Sequence, residues 1–137
     1  MGRLRNMDKQ AIEKKREMLI DEYNAKQRET EEQLDELRIK KRELENCLED
    51  IDSFRLRAIY MLNRHQRDLF QHGAHNDLKM LGMSEEEFQQ DCSKAAYELF
   101  DEQDEIERER KKILRSREDI EGEYKRAMFS LKEEERA

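Results

Sequence analysis

The sequence contains no proline, no tryptophan, two cysteines and only four glycines among its 137 residues. Sheets need many turns, and turns draw heavily on glycine and proline, so this shortage excludes an ordinary β-sandwich or doubly wound α/β domain. The longest apolar run, residues 58–62, is far shorter than the roughly 20 residues that span a bilayer. We therefore expect an all-α protein without membrane insertion.

What the sequence has in abundance is charge of both signs. Charged residues make up 46% of the chain, and 28 basic against 35 acidic side chains give a net charge of −7. The most basic stretch, residues 108–117, is interrupted or flanked by Glu107, Glu109 and Glu118, so it forms a solvated helix face and no nucleic-acid site. No apolar segment follows Arg3 and Arg5, which predicts a cytoplasmic protein without a secretory signal peptide.

Apolar residues recur at alternating spacings of four and three through the first half of the chain, as in a coiled coil. This row predicts a helix over about residues 8–70. A further row, Cys47, Phe54 and Met61, widens the apolar stripe from about residue 44 onward. The main row comprises Ile20, Tyr23, Gln27, Thr30, Leu34, Leu37, Lys41, Leu44, Leu48, Ile51, Arg55, Ala58, Leu62, His65 and Leu69.

A second helix is predicted over about residues 84–134, after a loop at 71–83 that contains Gly73. Ser84 and Glu87 match a capping box, and Met83 and Phe88 stand where a hydrophobic staple would place them. The helix then repeats an apolar residue every seven positions. The members of this repeat are Cys92, Leu99, Ile106, Ile113, Ile120 and Ala127.

Two long helices joined by a short loop predict one domain, residues 1–137, folded as a long, coiled-coil-like antiparallel two-helix hairpin. An end-to-end parallel dimer is the alternative. If residue 70 lies near residue 84, three pairs of residues face each other across the hairpin. These pairs are Leu34 with Ile120, Ile51 with Gln103, and Ala58 with Ala96.

No constellation of residues predicts catalysis, a cofactor or a metal. Cys47 and Cys92 fall too far apart in this hairpin for a disulfide. His65, His72 and His75 lack a fourth ligand at an established spacing. Phosphate-loop and nucleophile motifs are absent, and the many carboxylates lie on convex helix faces that cannot shift their pKa values apart. We therefore expect a protein that is not an enzyme.

The apolar side chains around the loop exceed what one hairpin can bury, so we expect a partner helix or a second copy to complete a bundle. The alternative is a local cap in which Leu78, Met80, Leu81 and Met83 fold over the loop end. The surplus comprises Phe54, Tyr60, Met61, Phe70, Met80, Met83, Phe88, Tyr97 and Phe100. The predicted partner-binding residues are Leu48, Ile51, Phe54, Met61, Leu62, Phe88, Leu99 and Phe100.

In size, acidity and helical pattern the chain resembles the α-helical accessory proteins that associate with LXG toxins in bacterial type VII secretion. The W-x-G turn of the broader class is absent, because the loop reads Gln71-His72-Gly73 and the chain has no tryptophan. Related substrates carry an aromatic residue four positions before an acid as an export signal. Tyr97 with Asp101, and Phe100 with Asp104, match that spacing, although the many acidic residues make such matches common by chance.

The resemblance implies a targeting adaptor, or chaperone, that binds the helical domain of a secreted effector. This adaptor either stays in the cytoplasm or is exported with the effector without a cleaved signal peptide. The rival expectation is a structural coiled-coil component, either a stalk-type hairpin of an export apparatus or a homodimeric spacer. The two differ in what covers the apolar surface near the loop.

Overall fold

The computed structural model describes residues 2–137, with side chains described from Met7 onward. These residues form two helices, α1 (Gly2–Gln71) and α2 (His75–Arg136), and include no strand. The helices pack against each other as a helical hairpin, which confirms the predicted all-α fold.

A three-residue turn joins the helices and closes α1 with a Schellman motif. The Ala74 N–H donates to the Leu69 carbonyl at 3.0 Å, and the Gly73 N–H donates to the Phe70 carbonyl at 3.2 Å. This geometry needs a left-handed residue after the helix, and Gly73 supplies it with φ of 67°. The Ala74 carbonyl then accepts the first α2 bond, from the Leu78 N–H at 3.0 Å. Three residues are therefore enough to reverse the direction of the chain.

The helix start predicted at Ser84 is corrected to His75, and the loop predicted over 71–83 is helical from residue 75 onward. Leu78, Leu81 and Phe88 are half-buried at helical spacing, so burial on α1 continues the helix toward the turn. The capping-box pattern at Ser84 consequently lies within α2. The predicted local cap does not form as a separate segment, and Met80 and Met83 are exposed.

Substituting Gly73 and Gly82 with alanine should change stability in opposite directions. Gly73→Ala should lower the free energy of unfolding by about 1–2 kcal/mol, because an L-residue is strained at positive φ. Gly82 lies within α2 with nothing within 4 Å of an added Cβ, so Gly82→Ala should raise it by about 0.5–1 kcal/mol. Urea denaturation followed by circular dichroism measures both. If both substitutions changed the free energy of unfolding in the same direction, the position of the turn described above would be wrong.

The chain divides into two compact units, each containing part of α1 and part of α2. The terminal unit consists of the described residues up to Arg38 together with Arg108–Ala137, and the loop unit consists of Ile39–Glu107. In each unit the two helices run antiparallel.

The terminal unit holds most of the buried side chains. Leu34, Leu37 and Leu131 are between 5% and 8% exposed, and the buried Thr30 hydroxyl donates to the Lys26 carbonyl at 2.9 Å. The rings of Tyr23 and Tyr124 stack with centroids 4.2 Å apart. A narrow apolar seam is therefore sufficient to pack these segments closely.

Ion pairs join the helices beyond this core. The Arg16 guanidinium lies 2.9 Å from the Glu135 carboxylate, and the Lys15 ammonium lies 3.6 Å from that of Glu134. These side chains are substantially solvent-exposed, so each pair adds no more than about 1 kcal/mol.

The loop unit buries less of its apolar surface. Leu44, at 9% exposed, is its only buried apolar side chain among the described residues. Arg55 occupies the middle of the seam, where its Nε is buried without a hydrogen-bond partner and its guanidinium lies 3.6 Å from Asp52. The Gln66 amide donates to the Glu85 carboxylate across the helices at 2.9 Å. Polar groups thus interrupt this seam.

Most of the predicted rows face the partner helix. All six members of the seven-residue repeat of α2 are half-buried. On α1, every predicted seam residue is buried or half-buried except Lys41 and His65, which are exposed. Near the turn the half-buried position is Gln66 in place of His65, because a 3.6-residue helix drifts from a strict seven-residue repeat.

The predicted pairing register is shifted because the turn is shorter than expected. It would place Tyr23 opposite Leu131, but Tyr23 stacks on Tyr124, one heptad away. It would also place Phe54 opposite Phe100, but Phe54 contacts Phe88. The expected pairs Leu34–Ile120, Ile51–Gln103 and Ala58–Ala96 belong to that register and are corrected with it.

Candidate functional site

Large exposed apolar side chains concentrate in the loop unit. The terminal unit exposes three of them among its described side chains: Met7, Met18 and Phe129. The loop unit exposes ten, which are Ile39, Phe54, Leu56, Tyr60, Met61, Phe70, Met80, Met83, Tyr97 and Phe100. Because exposed apolar patches mark interaction sites, the loop unit is the candidate region for a binding surface.

Several of these side chains line one groove of about 870 Å³, here called the Phe54 groove. Its apolar lining comes from both helices, and polar side chains supply the rest. The apolar residues are Phe54, Ala58, Tyr60, Met61, Leu62 and Phe88, and the polar residues are Arg57, Arg64, His65, Asp68 and Ser84.

The groove exists because one apolar row lies beside the seam. Phe54 and Met61 follow Cys47 at seven-residue intervals and are 56% and 69% exposed. On α2, Phe88 lies on the same side of the hairpin, and its ring centroid is 5.7 Å from that of Phe54 at a tilt of 57°. Such tilted pairs are favourable between aromatic rings. The pair forms an apolar wall that two helices alone leave open to solvent.

Two arginines give the groove a basic character within an acidic protein. Arg57 and Arg64 each follow an apolar groove residue, Phe54 and Met61, by three positions, so they lie on the same side of α1. The Arg57 Nε–H donates to the Ser53 carbonyl at 3.4 Å, a bond within its own helix. Among the described residues, no ion pair engages Arg64, nor the third charged group, Asp68. These charges remain available to a ligand.

The structure brings together four of the eight predicted partner-binding residues: Phe54, Met61, Leu62 and Phe88. Leu48, Ile51 and Leu99 are half-buried outside the groove. Phe100 is 51% exposed and also lies outside it. The prediction did not include the arginines. Their own seven-residue spacing, in phase with Phe54 and Met61, was the signal that could have indicated them.

The residues of the predicted export signal lie on the exposed surface of α2. Tyr97, Phe100, Asp101 and Asp104 are all exposed. Tyr97 also lines a second concavity of about 710 Å³, but nearly all of its other lining residues are polar, as with Glu86 and Gln89. By residue type its lining is therefore more polar than that of the Phe54 groove.

The described residues contain no group of three or more His, Cys, Asp or Glu side chains arranged to hold a metal ion. Cys47 and Cys92 are free thiols, the former exposed and the latter half-buried. Within residues 2–137, no helix carries an apolar stretch that would reach across a bilayer.

Comparisons of the chain with protein-family models, curated proteins and solved structures gave no significant match. The interpretation of the Phe54 groove therefore depends on its own chemistry.

Proposed function

We propose that this protein is a non-catalytic helical adaptor that binds an amphipathic helix of a protein partner in the Phe54 groove. The observation that carries the proposal is the groove itself, in which Phe54 and Met61 stay more than half exposed beside the partly covered Phe88. A third helix laid along this surface would bury these side chains and extend the two-helix packing into a bundle.

The groove also defines which helix it would accept. Apolar anchors at i, i+3 or i+4 and i+7 would enter between Phe54, Met61 and Phe88. Acidic residues beside those anchors would pair with Arg57 and Arg64 and fix the direction of the helix. A basic helix would be repelled at the same positions.

The resemblance to LXG-toxin accessory proteins suggests a biological partner of this kind. In this proposal the ligand is the helical N-terminal domain of an LXG-type effector, bound in the cytoplasm before type VII export. Tyr97 with Asp101, and Phe100 with Asp104, are then exposed for recognition by the export apparatus. The adaptor would leave with its cargo or remain behind, and assay of both proteins in the culture medium distinguishes these outcomes.

Phe54→Asp should weaken binding of the effector domain on the order of 30-fold or more, because a central aromatic anchor is lost and a charge is buried. Isothermal titration calorimetry with the purified domain measures the effect. The matched control is Phe129→Asp, since Phe129 is 65% exposed but lies in the terminal unit. Equal affinity of both variants would exclude the Phe54 groove as the binding site, and absence of binding by the unmodified chain would exclude the effector.

A structural role is the second candidate, favoured by the packing of the terminal unit. Leu34, Leu37 and the Tyr23–Tyr124 stack pack the two helices closely in this unit. A spacer or stalk needs such a pair and needs no ligand. If the protein is a spacer or stalk, neither Phe54→Asp nor Phe129→Asp should impair that structural role.

A further inference from the structure

The exposed face of α2 carries an acidic aromatic segment, here defined as residues 94–104. Lys94, Tyr97, Asp101 and Asp104 recur at spacings of three, four and three, so they share one face of the helix, with Phe100 beside them. Tyr97 is 71% exposed and Phe100 is 51% exposed. The structure engages none of the three charges in an ion pair with another described residue.

This segment combines the apolar and acidic side chains that the Phe54 groove is expected to bind. It offers two aromatic side chains to the apolar lining and two aspartates to Arg57 and Arg64. It also offers Lys94 to the one acidic lining residue, Asp68.

The order of the charges defines one orientation. Along α1 the groove presents Arg57, Arg64 and then Asp68, whereas the segment presents Lys94 first and its aspartates afterwards. An antiparallel arrangement sets Asp104 at Arg57 and Lys94 at Asp68. Asp101 then lies about 6 Å along the axis from Arg64, a separation that the long arginine side chain can span. The two spans agree, at about 16 Å for residues 57–68 and about 15 Å for residues 94–104. A parallel arrangement would set Lys94 at Arg57 and Asp104 at Asp68, both of them repulsive.

We infer that the Phe54 groove of one molecule binds the acidic aromatic segment of a second copy, with that segment antiparallel to α1. The contact cannot form within one molecule. Tyr97 follows Phe88 by about two and a half helical turns and so lies on the opposite side of α2 from the groove. Without the partner helix, the groove of one molecule is therefore occupied by the acidic aromatic segment of another molecule.

Such a contact joins the groove of one molecule to the segment of another. When two molecules associate in this way, one groove and one segment remain unoccupied. Association of this type proceeds beyond a closed dimer unless a ring forms. The average mass of the protein should accordingly rise with concentration. It should fall with added salt, because exposed ion pairs are screened.

Two charge-reversed variants test the inference on the purified full-length chain by sedimentation velocity. Arg57→Glu/Arg64→Glu reverses the groove, and Asp101→Arg/Asp104→Arg reverses the segment. Each variant alone should self-associate on the order of 10-fold or more weakly than the unmodified chain. An equimolar mixture should regain association, because each groove then meets a segment of opposite charge. Lys111→Glu/Arg115→Glu, in the terminal unit, is the control that changes the net charge by the same amount as the groove variant, and it should behave as the unmodified chain.

Circular dichroism confirms that each variant remains helical before it is compared. The inference is overturned if the unmodified chain stays monomeric at protein concentrations up to about 1 mM, since its dissociation constant would then be weaker than about 1 mM. It is equally overturned if both variants associate as strongly as the Lys111→Glu/Arg115→Glu control, or if their mixture stays as weakly associated as each variant alone. These outcomes do not involve the effector, so failure of self-association leaves the proposed adaptor function unaffected. Failure of the effector to bind would likewise leave the self-association result unaffected.

Discussion

Glu85→Pro should lower the free energy of unfolding by about 3 kcal/mol or more. Residue 85 lies ten positions into α2, where proline removes a backbone hydrogen bond and its ring clashes with the carbonyl four residues earlier. If α2 began with Ser84 as its cap, proline at 85 would occupy the first helical position and be well tolerated. The substitution therefore tests the corrected helix start directly, and urea denaturation followed by circular dichroism measures it.

Two control variants separate the backbone effect from other losses. Glu85→Ala removes only the bond from the Gln66 amide and should cost about 1 kcal/mol. His75→Pro places proline at the true first position of α2 and removes one turn bond, from the His75 N–H to the Gly73 carbonyl. A smaller loss for Glu85→Pro than for His75→Pro would restore the predicted start at Ser84.

Leu37→Ala should lower the free energy of unfolding by about 2–5 kcal/mol, since Leu37 is 5% exposed and truncation leaves a cavity between the helices. For a protein of ordinary stability this is a large part of the total. Leu56→Ala makes the same chemical change at a side chain that is 62% exposed, and it should stay within about 0.5 kcal/mol of the unmodified chain.

Native-state hydrogen exchange would locate the loss. Amides of the terminal unit should lose protection in Leu37→Ala, because Leu37 belongs to the core of that unit. If Leu37→Ala and Leu56→Ala changed stability equally, the described burial of Leu37 would be wrong.

The sequence was sufficient to predict the helices and most of the residues on their inner faces. Periodicity depends only on spacing along one helix, so the row from Cys92 to Ala127 could be found without knowledge of the partner helix. The turn was harder to predict. Ser84 and Glu87 carry a real capping pattern, but burial of Leu78 and Leu81 against α1 outweighs it, and burial is a tertiary effect that local spacing does not report.

The same limit applies to the Phe54 groove. The surplus of apolar residues near the loop could be read directly from the sequence. Which of them share a groove depends on the register between the helices, and that register follows from the length of the turn. The register that follows from the predicted turn would place Phe54 opposite Phe100, whereas its neighbour is Phe88. Arg57 and Arg64 were overlooked because charged residues are common throughout this chain.

The four tyrosines are distributed so that the protein carries its own optical reporters. With no tryptophan in the chain, tyrosine dominates its near-ultraviolet signal. The stacked Tyr23 and Tyr124 report on the terminal unit, Tyr60 lines the Phe54 groove, and Tyr97 lies on the acidic aromatic segment. Replacing Tyr60 or Tyr97 with phenylalanine would therefore assign a spectral change on binding to one surface, while the stacked pair monitors unfolding of the terminal unit without an added label.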